Sequence, residues 1–225
     1  MSYPLWSDSA GRVEVRFVGR GEERTREATL AEVEPGAPPV AALKQVHSAR
    51  VVSVDGCGFA GEGDALVTAR PGLALSVITA DCVPVLIATG DAIAAVHAGW
   101  RGVVAGVVPA AWERLRETAG ASANGAAPIA WIGPSIGACC YEVGPDVAAQ
   151  VVGASGEEVA TPGPAGKPHL GVARAVEIQL RRAGITDVRC FGPCTRCEPE
   201  LLWSYRRDGA KAGRNIAYAW MRDRG

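Results

Sequence analysis

Short stretches of alternating apolar and polar residues, and continuous apolar runs of strand length, recur along the chain. Val13, Val15 and Phe17 alternate with Glu14 and Arg16, which predicts a half-buried strand over 13–18. Further strands are expected over 40–46, leading into Lys44-Gln-Val-His47, and over 50–54. The apolar runs at 65–68, 73–79, 83–88 and 93–96 have strand length and are punctuated by Pro71-Gly72 and Ala80-Asp-Cys82. Shorter strands are expected at 130–132, 188–191 and 215–220.

A helical rhythm replaces the alternation in three places. Val104, Val107, Val108, Ala111, Trp112 and Leu115 share one face of a helix over 103–119, with Gly120 past its end and Pro109 expected to kink it. A short helix with Pro145 in its first position is predicted over 145–152, and an amphipathic one over 172–183, stopped by Gly184. The segments 20–26, 35–39, 56–63 and 153–168 read as a charged turn, a rigid Pro loop, a Gly-rich connection and a Gly/Pro loop. Strands outnumber helices and come in clusters. That favours an α+β fold over a regular βαβ sheet, in a single domain over 1–225 with no internal repeat.

Composition narrows the class. With 48% hydrophobic and 21% charged residues, 225 residues suffice for a sizeable core. A net charge of -1 without blocks of like charge excludes nucleic acid and acidic membranes as favoured partners and leaves a small-molecule substrate. Oligomeric state is not encoded in any motif. The apolar runs are too short to span a bilayer, and the start Met1-Ser-Tyr-Pro lacks a signal-peptide pattern. Seven cysteines, an odd number, then point to reduced thiols in the cytoplasm.

Candidate chemistry centres on two of the three histidines. His47 and His97 each close a strand-like segment, and Cys82 follows Asp81 at a break between strands. Two imidazoles and a thiolate form a three-ligand zinc set with an open fourth position, where bound water becomes a nucleophile near neutral pH. Asp81 is then a candidate proton carrier. Positions 47, 82 and 97 are separated by 35 and 15 residues, a spacing that also fits two core histidines and a buried thiol. The segment His97-Ala-Gly-Trp-Arg-Gly102 opens a helix after a strand, which suits an anion, with Arg101 as a charged contact.

Several motifs together resemble a known family. They are Lys44-Gln-Val-His47, Asp64-Ala-Leu-Val-Thr68, Thr79-Ala-Asp-Cys-Val-Pro84, His97-Ala-Gly-Trp-Arg-Gly102, Ile132-Gly-Pro-Ser-Ile-Gly137 with Cys140-Tyr-Glu-Val143, and Ser204-Tyr-Arg-Arg-Asp-Gly209. Over 40–213 they resemble the bacterial purine nucleoside phosphorylases once called multicopper polyphenol oxidoreductases (laccase domain), also named peptidoglycan editing factors. The resemblance implies two mixed sheets packed between helical layers and zinc held by His47, Cys82 and His97. It implies phosphorolysis of adenosine, inosine and S-methyl-5'-thioadenosine, with hydrolytic deamination of adenosine at the same site. Candidate substrate contacts are Lys44, Gln45, Gly102, Cys140, Tyr141, Arg206 and Arg207. On an extended segment, however, Lys44 faces away from His47. The chain departs from the family in a short N-terminal region and in His169-Leu-Gly-Val172, where an acid is replaced by glycine.

Three rival readings use the same residues. A laccase needs a second histidine-rich copper cluster, and only His169 is left to build one; copper is expected only by substitution for zinc. An amidase that edits peptidoglycan precursors would use zinc or a Cys82 nucleophile with a histidine base. Cys190-x3-Cys194-x2-Cys197 has the spacing of a radical iron–sulfur site but lacks the surrounding pattern, so Cys197 reads as incidental.

Overall fold

The computed structural model describes residues 3–22, 24–123, 127–164 and 166–223; Met1 and Ser2 of the N-terminal stretch lie outside the described residues. In chain order the elements are β1 Leu5–Ala10, β2 Val13–Val18, α1 Arg26–Val33, β3 Val40–Lys44, β4 Val51–Ser53, β5 Gly58–Glu62, β6 Ala65–Thr68 and β7 Ala74–Thr79. They continue with β8 Val83–Thr89, β9 Ala92–Ala98, α2 Trp100–Ala105, α3 Val107–Ala119, β10 Ile129–Ile132, α4 Pro145–Ser155, β11 Ala160–Pro162 and β12 Pro168–Leu170. The chain ends with α5 Val172–Arg182, β13 Asp187–Cys190, α6 Tyr205–Asp208 and β14 Asn215–Met221. No helix among the described residues is long and apolar enough to cross a membrane.

Twelve of the strands form two six-stranded mixed sheets, ordered β1-β2-β14-β7-β3-β5 and β13-β10-β8-β9-β6-β4. The alternation of the strands assigns the layers. Leu86 of β8 and Ile93 of β9 meet Phe17, Leu75 and Trp131 in the layer between the sheets. Their neighbours Val83, Val85, Ile87, Ala94 and Val96 turn to the other face, where Val107, Ala111 and Leu115 of α3 and Val176 and Leu180 of α5 cover them. Leu30 of α1 covers the outer face of the first sheet with Val40 and Tyr218. The result is the expected α+β fold, two mixed sheets between helical layers. Each large apolar side chain fully removed from water here contributes roughly 1.5–3 kcal/mol.

The helix expected over 103–119 is two helices. It begins earlier, at Trp100, and breaks at Gly106, whose φ of 82° is left-handed. Pro109 therefore falls in the first turn of α3, where its missing N–H is harmless, and causes no kink. Three elements arise where the sequence shows no clear rhythm. The edge strand β1 has exposed or half-buried positions throughout. α1 buries little beyond Thr29 and Leu30 and starts at Thr25, whose side chain accepts the Ala28 N–H. β5 lies in the Gly-rich connection, largely exposed, paired parallel to β3. Beyond the predicted limits, α4 continues to Ser155, and the expected loop after it contains β11.

Candidate metal centre

Strand register brings the candidate ligands together. β6 and β9 are antiparallel with Ala65 opposite Val96, so Asp64, just before β6, lies beside His97. The His97 N–H donates to the Asp64 carbonyl at 2.7 Å. β8 and β9 pair Val83 with Ala98, which sets Cys82 beside Gly99. His47 arrives on the loop after β3, in a left-handed conformation (φ 59°) that costs energy for a residue with a Cβ.

That loop is held by one carboxylate. Asp64 is fully buried and accepts the backbone N–H groups of Val46 (3.3 Å), His47 (2.9 Å) and Ser48 (2.6 Å) and the Ser48 hydroxyl (2.8 Å). Its Oδ1 also lies 2.9 Å from His97 Nδ1. With the Nδ1–H donating to the carboxylate, Nε2 presents its lone pair, the usual way a carboxylate orients a metal-binding imidazole. Burial opposes the charge on Asp64, but His97 and the Ser48 donors outweigh it and hold the carboxyl well below the usual range. Asp64 thus fixes two candidate ligands at once. Asp64 opens one of the sequence motifs, but its partners on the His47 loop lie 16 to 18 residues earlier.

His47 Nε2 lies 3.9 Å from Cys82 Sγ, the two imidazole rings are 4.8 Å apart edge to face, and the ligand atoms of all three residues lie within 4.8 Å of one another. Burial pushes the Cys82 thiol up, but His47 and His97 bring it down to about 6. Burial likewise opposes protonation of His97, but Asp64 and Cys82 raise it to about 9. A thiolate, an exposed imidazole and an oriented, buried imidazole are borderline-soft donors of the kind zinc takes. A Cβ at Gly99 would sit 3.0 Å from Cys82 Sγ and 3.0 Å from His47 Cδ2, so glycine is what allows the set to close. The residues present fit a zinc ion.

Around this set the other candidates divide. Burial, and then the charges of Cys82 and Asp81, push the Tyr141 phenol up, opposed by Arg206 and Arg101. Contacts tie Tyr141 to the centre through Arg206, whose N–H reaches Asp81 next to Cys82. Arg206 stacks on the Tyr141 ring at 4.9 Å and donates to the Glu142 carbonyl, while exposed Arg101 stacks on Trp100 at 4.5 Å. Asp81 is a buried residue with φ 93°; its carboxylate accepts the Thr195 hydroxyl (2.6 Å) and the Arg206 N–H (2.6 Å).

The remaining candidates are engaged elsewhere. Lys44 is exposed and paired with Glu62 at 2.8 Å. The Gln45 amide bonds both the N–H and the carbonyl of Ile78, tying the loop to β7. Gly102 is buried where a Cβ would meet Val107 at 3.2 Å and the Ser48 carbonyl at 3.4 Å, so it permits close packing of α2 on the His47 loop. Arg207 clamps the carbonyls of Thr195 and Leu202. Cys140 belongs to a separate group of four cysteines.

A broad cavity of about 830 Å³ lies elsewhere, lined by Arg26, Phe59, Ile78, Trp203 and Arg214 among others. None of the three candidate ligands is among its lining residues.

Residues 21–222 match the family model described as multi-copper polyphenol oxidoreductase laccase. The chain is 42% identical over 204 residues to a Streptomyces coelicolor protein named purine nucleoside phosphorylase SCO2081, covering 88% of this chain and 82% of that one. It is 34% identical over 184 residues to the Escherichia coli protein named purine nucleoside phosphorylase YfiH, covering 80% and 72%. Among solved structures, Neisseria meningitidis NMB0706 superposes with a TM-score of 0.81 at 27% identity, over 99% of this chain and all of that one. YlmD from Geobacillus stearothermophilus shares the fold, with a TM-score of 0.82 at 23% identity over 98% of this chain and 100% of that one.

Proposed function

From the premise that this chain belongs to the multi-copper polyphenol oxidoreductase laccase family, we propose that it is a zinc-dependent purine nucleoside enzyme of the cytoplasm. It cleaves adenosine, inosine and S-methyl-5'-thioadenosine with phosphate and deaminates adenosine with water. The observation that carries this reading is the convergence of His47, Cys82 and His97 within 4.8 Å. The names of the relatives supply the substrate class.

A zinc ion on these three residues would supply Lewis acidity. The rest is the work of side chains around it. Asp64 holds the His97 ring and the His47 loop in place. Arg101 and Arg206 offer the positive charge that a phosphate needs beside the ribose. Tyr141, half-buried against Arg206, offers a phenol and the rest of its ring to the nucleoside. Asp81 keeps Arg206 in position by accepting the Arg206 backbone N–H, and its Oδ1 accepts the Thr195 hydroxyl.

Product analysis tests the reading. Adenosine with phosphate is expected to give adenine and ribose 1-phosphate, and without phosphate, inosine; recovery of unchanged adenosine in both would refute it. Arg101→Ala is expected to raise the phosphate concentration for half-maximal phosphorolysis by about tenfold, the cost of one charged hydrogen bond, while deamination changes little. Equal losses in both reactions would remove Arg101 from the phosphate site.

One observation favours a second reading. A Cys82 thiol lowered to about 6 beside a His97 imidazole raised to about 9 also makes a thiolate–imidazolium pair, the nucleophile and proton donor that an amidase editing cell-wall precursors would need. In metal-stripped protein, iodoacetamide alkylation of Cys82 is expected to switch on with a midpoint near pH 6, well below an ordinary thiol. The thiolate is the reactive form, so the rate falls as pH drops below that value. Zinc is expected to protect it. Active protein with no zinc and rapid Cys82 alkylation would favour the amidase. A copper oxidase needs further histidines, and His169, the one remaining, donates Nδ1–H to the Ala138 carbonyl at 2.8 Å. Copper in place of zinc is expected only by substitution.

A further inference from the structure

Two turns bring four sulfur atoms together outside the centre described above. The first follows β10, where the Cys140 and Tyr141 N–H groups both donate to the Gly137 carbonyl. It presents Cys139 and Cys140. The second follows β13, where the Cys197 N–H returns to the Cys194 carbonyl at 3.1 Å. It presents Cys194 and Cys197 as a Cys-x2-Cys turn. The four sulfurs lie within 4.8 Å of one another, with Cys140 to Cys197 at 3.4 Å and Cys139 to Cys197 at 3.8 Å.

These separations discriminate between ligands. Tetrahedral zinc with Zn–S bonds of about 2.3 Å places its sulfurs about 3.8 Å apart. A disulfide would bring two of them to about 2.05 Å. A cluster of several irons would hold its four thiolates wider apart than one ion does. The separations seen here match a single tetrahedral ion.

The surroundings prepare a thiolate. The Gly137 N–H donates to Cys194 Sγ at 3.2 Å. Burial pushes the Cys194 thiol up, but the N–H groups of Gly137, Cys197 and Arg196 bring it below the usual range. Burial and the neighbouring sulfurs push Cys139 up, and Cys140 and Cys194 push Cys197 up to about 11. One sulfur is met by a backbone N–H, and Cys197 Sγ packs against both Cys139 Sγ and Cys140 Sγ. A soft divalent cation suits four sulfurs gathered this closely and would displace the thiol protons as it binds.

We propose that Cys139, Cys140, Cys194 and Cys197 hold a second, structural zinc ion. All four positions are filled by sulfur, so this site is closed and does no chemistry. Its task is to fasten the two turns together. Tyr141 leaves the first turn, and Thr195, inside the second, donates to Asp81 beside Cys82. The ion therefore fixes one wall of the nucleoside site from outside it. This proposal stands independently of the reaction assigned to that site.

The test is metal stoichiometry of the full chain purified under reducing conditions, with cobalt substitution as a second readout. Wild type is expected to carry two zinc ions per chain. The double variant Cys194→Ser/Cys197→Ser should carry one, and Cys190→Ser, altered outside the cluster, should keep two. Cobalt-loaded wild type should show sulfur-to-cobalt charge-transfer absorption that falls sharply in the double variant. If the double variant fails to fold, Cys139→Ser alone should weaken zinc retention against a chelator while circular dichroism stays native. One zinc per chain in folded wild type would overturn the proposal. So would a disulfide between any two of the four, or iron as the second metal.

Discussion

Asp64→Asn is expected to weaken zinc binding at the His47, Cys82 and His97 set by about 10–100-fold, the usual effect of losing a carboxylate behind a metal-binding imidazole. The folded chain is expected to lose about 3–5 kcal/mol as well, because His97 keeps its buried position without its charged partner. The two losses share a cause. Asp64 accepts three consecutive backbone N–H groups of the His47 loop and one ring nitrogen of His97, all in a place fully shielded from water. An amide has one acceptor oxygen where the carboxylate has two, and it brings donors that face other donors. His47, already in a left-handed conformation, depends on these bonds to stay there. Chelator competition and denaturant titration of the same variant check both numbers. Unchanged zinc affinity would mean that Asp64 is only a loop brace.

Cys82→Ala is expected to abolish turnover while leaving the fold intact. The variant removes one of the three proposed ligands, so its effect on zinc affinity should exceed the 10–100-fold of an outer partner by a wide margin. Cys82 is half-buried at the mouth of β8, and alanine fits there without a clash. Stability of the metal-free protein should therefore change little, while the zinc lost should be one ion per chain. His47→Ala and His97→Ala should give the same metal count, with His97→Ala also destabilising because Asp64 is left buried without its partner. Zinc quantification beside an activity assay checks the prediction. A Cys82→Ala protein active without zinc would end the metal reading.

Much of the architecture was legible because the strands keep their period. β2 and β6 fall where alternation and apolar runs place them, and β7 to β9 follow within a residue or two. The break between α2 and α3 was not legible, because residues 103–119 carry a continuous apolar face and only the backbone of Gly106 interrupts it. β5 and α1 were hidden for a different reason. They sit at the periphery, bury little, and leave no apolar rhythm to read.

The candidate site divides in the same way. His47, Cys82 and His97 were legible because histidine is scarce in this chain and both histidines follow strand-like apolar segments, although β3 itself stops at Lys44. Asp64 was not, since its value lies in the N–H groups of a loop 16 to 18 residues earlier, which no local pattern announces. An acid set directly against a wholly buried strand was the one available signal. The four-cysteine group was missed because Cys139 and Cys197 are 58 residues apart, and nothing in the spacing says that their turns meet.

Adenosine turnover measured against zinc occupancy is the most direct test of the whole account. Protein is stripped, reloaded in steps, and assayed with phosphate, with Cys82→Ala as the reference for zinc bound elsewhere. Turnover is expected to rise in proportion to the zinc that wild type binds and Cys82→Ala does not, reaching its plateau at one such ion per chain. Full adenosine turnover by the stripped protein, or none when that ion is fully loaded, would contradict it.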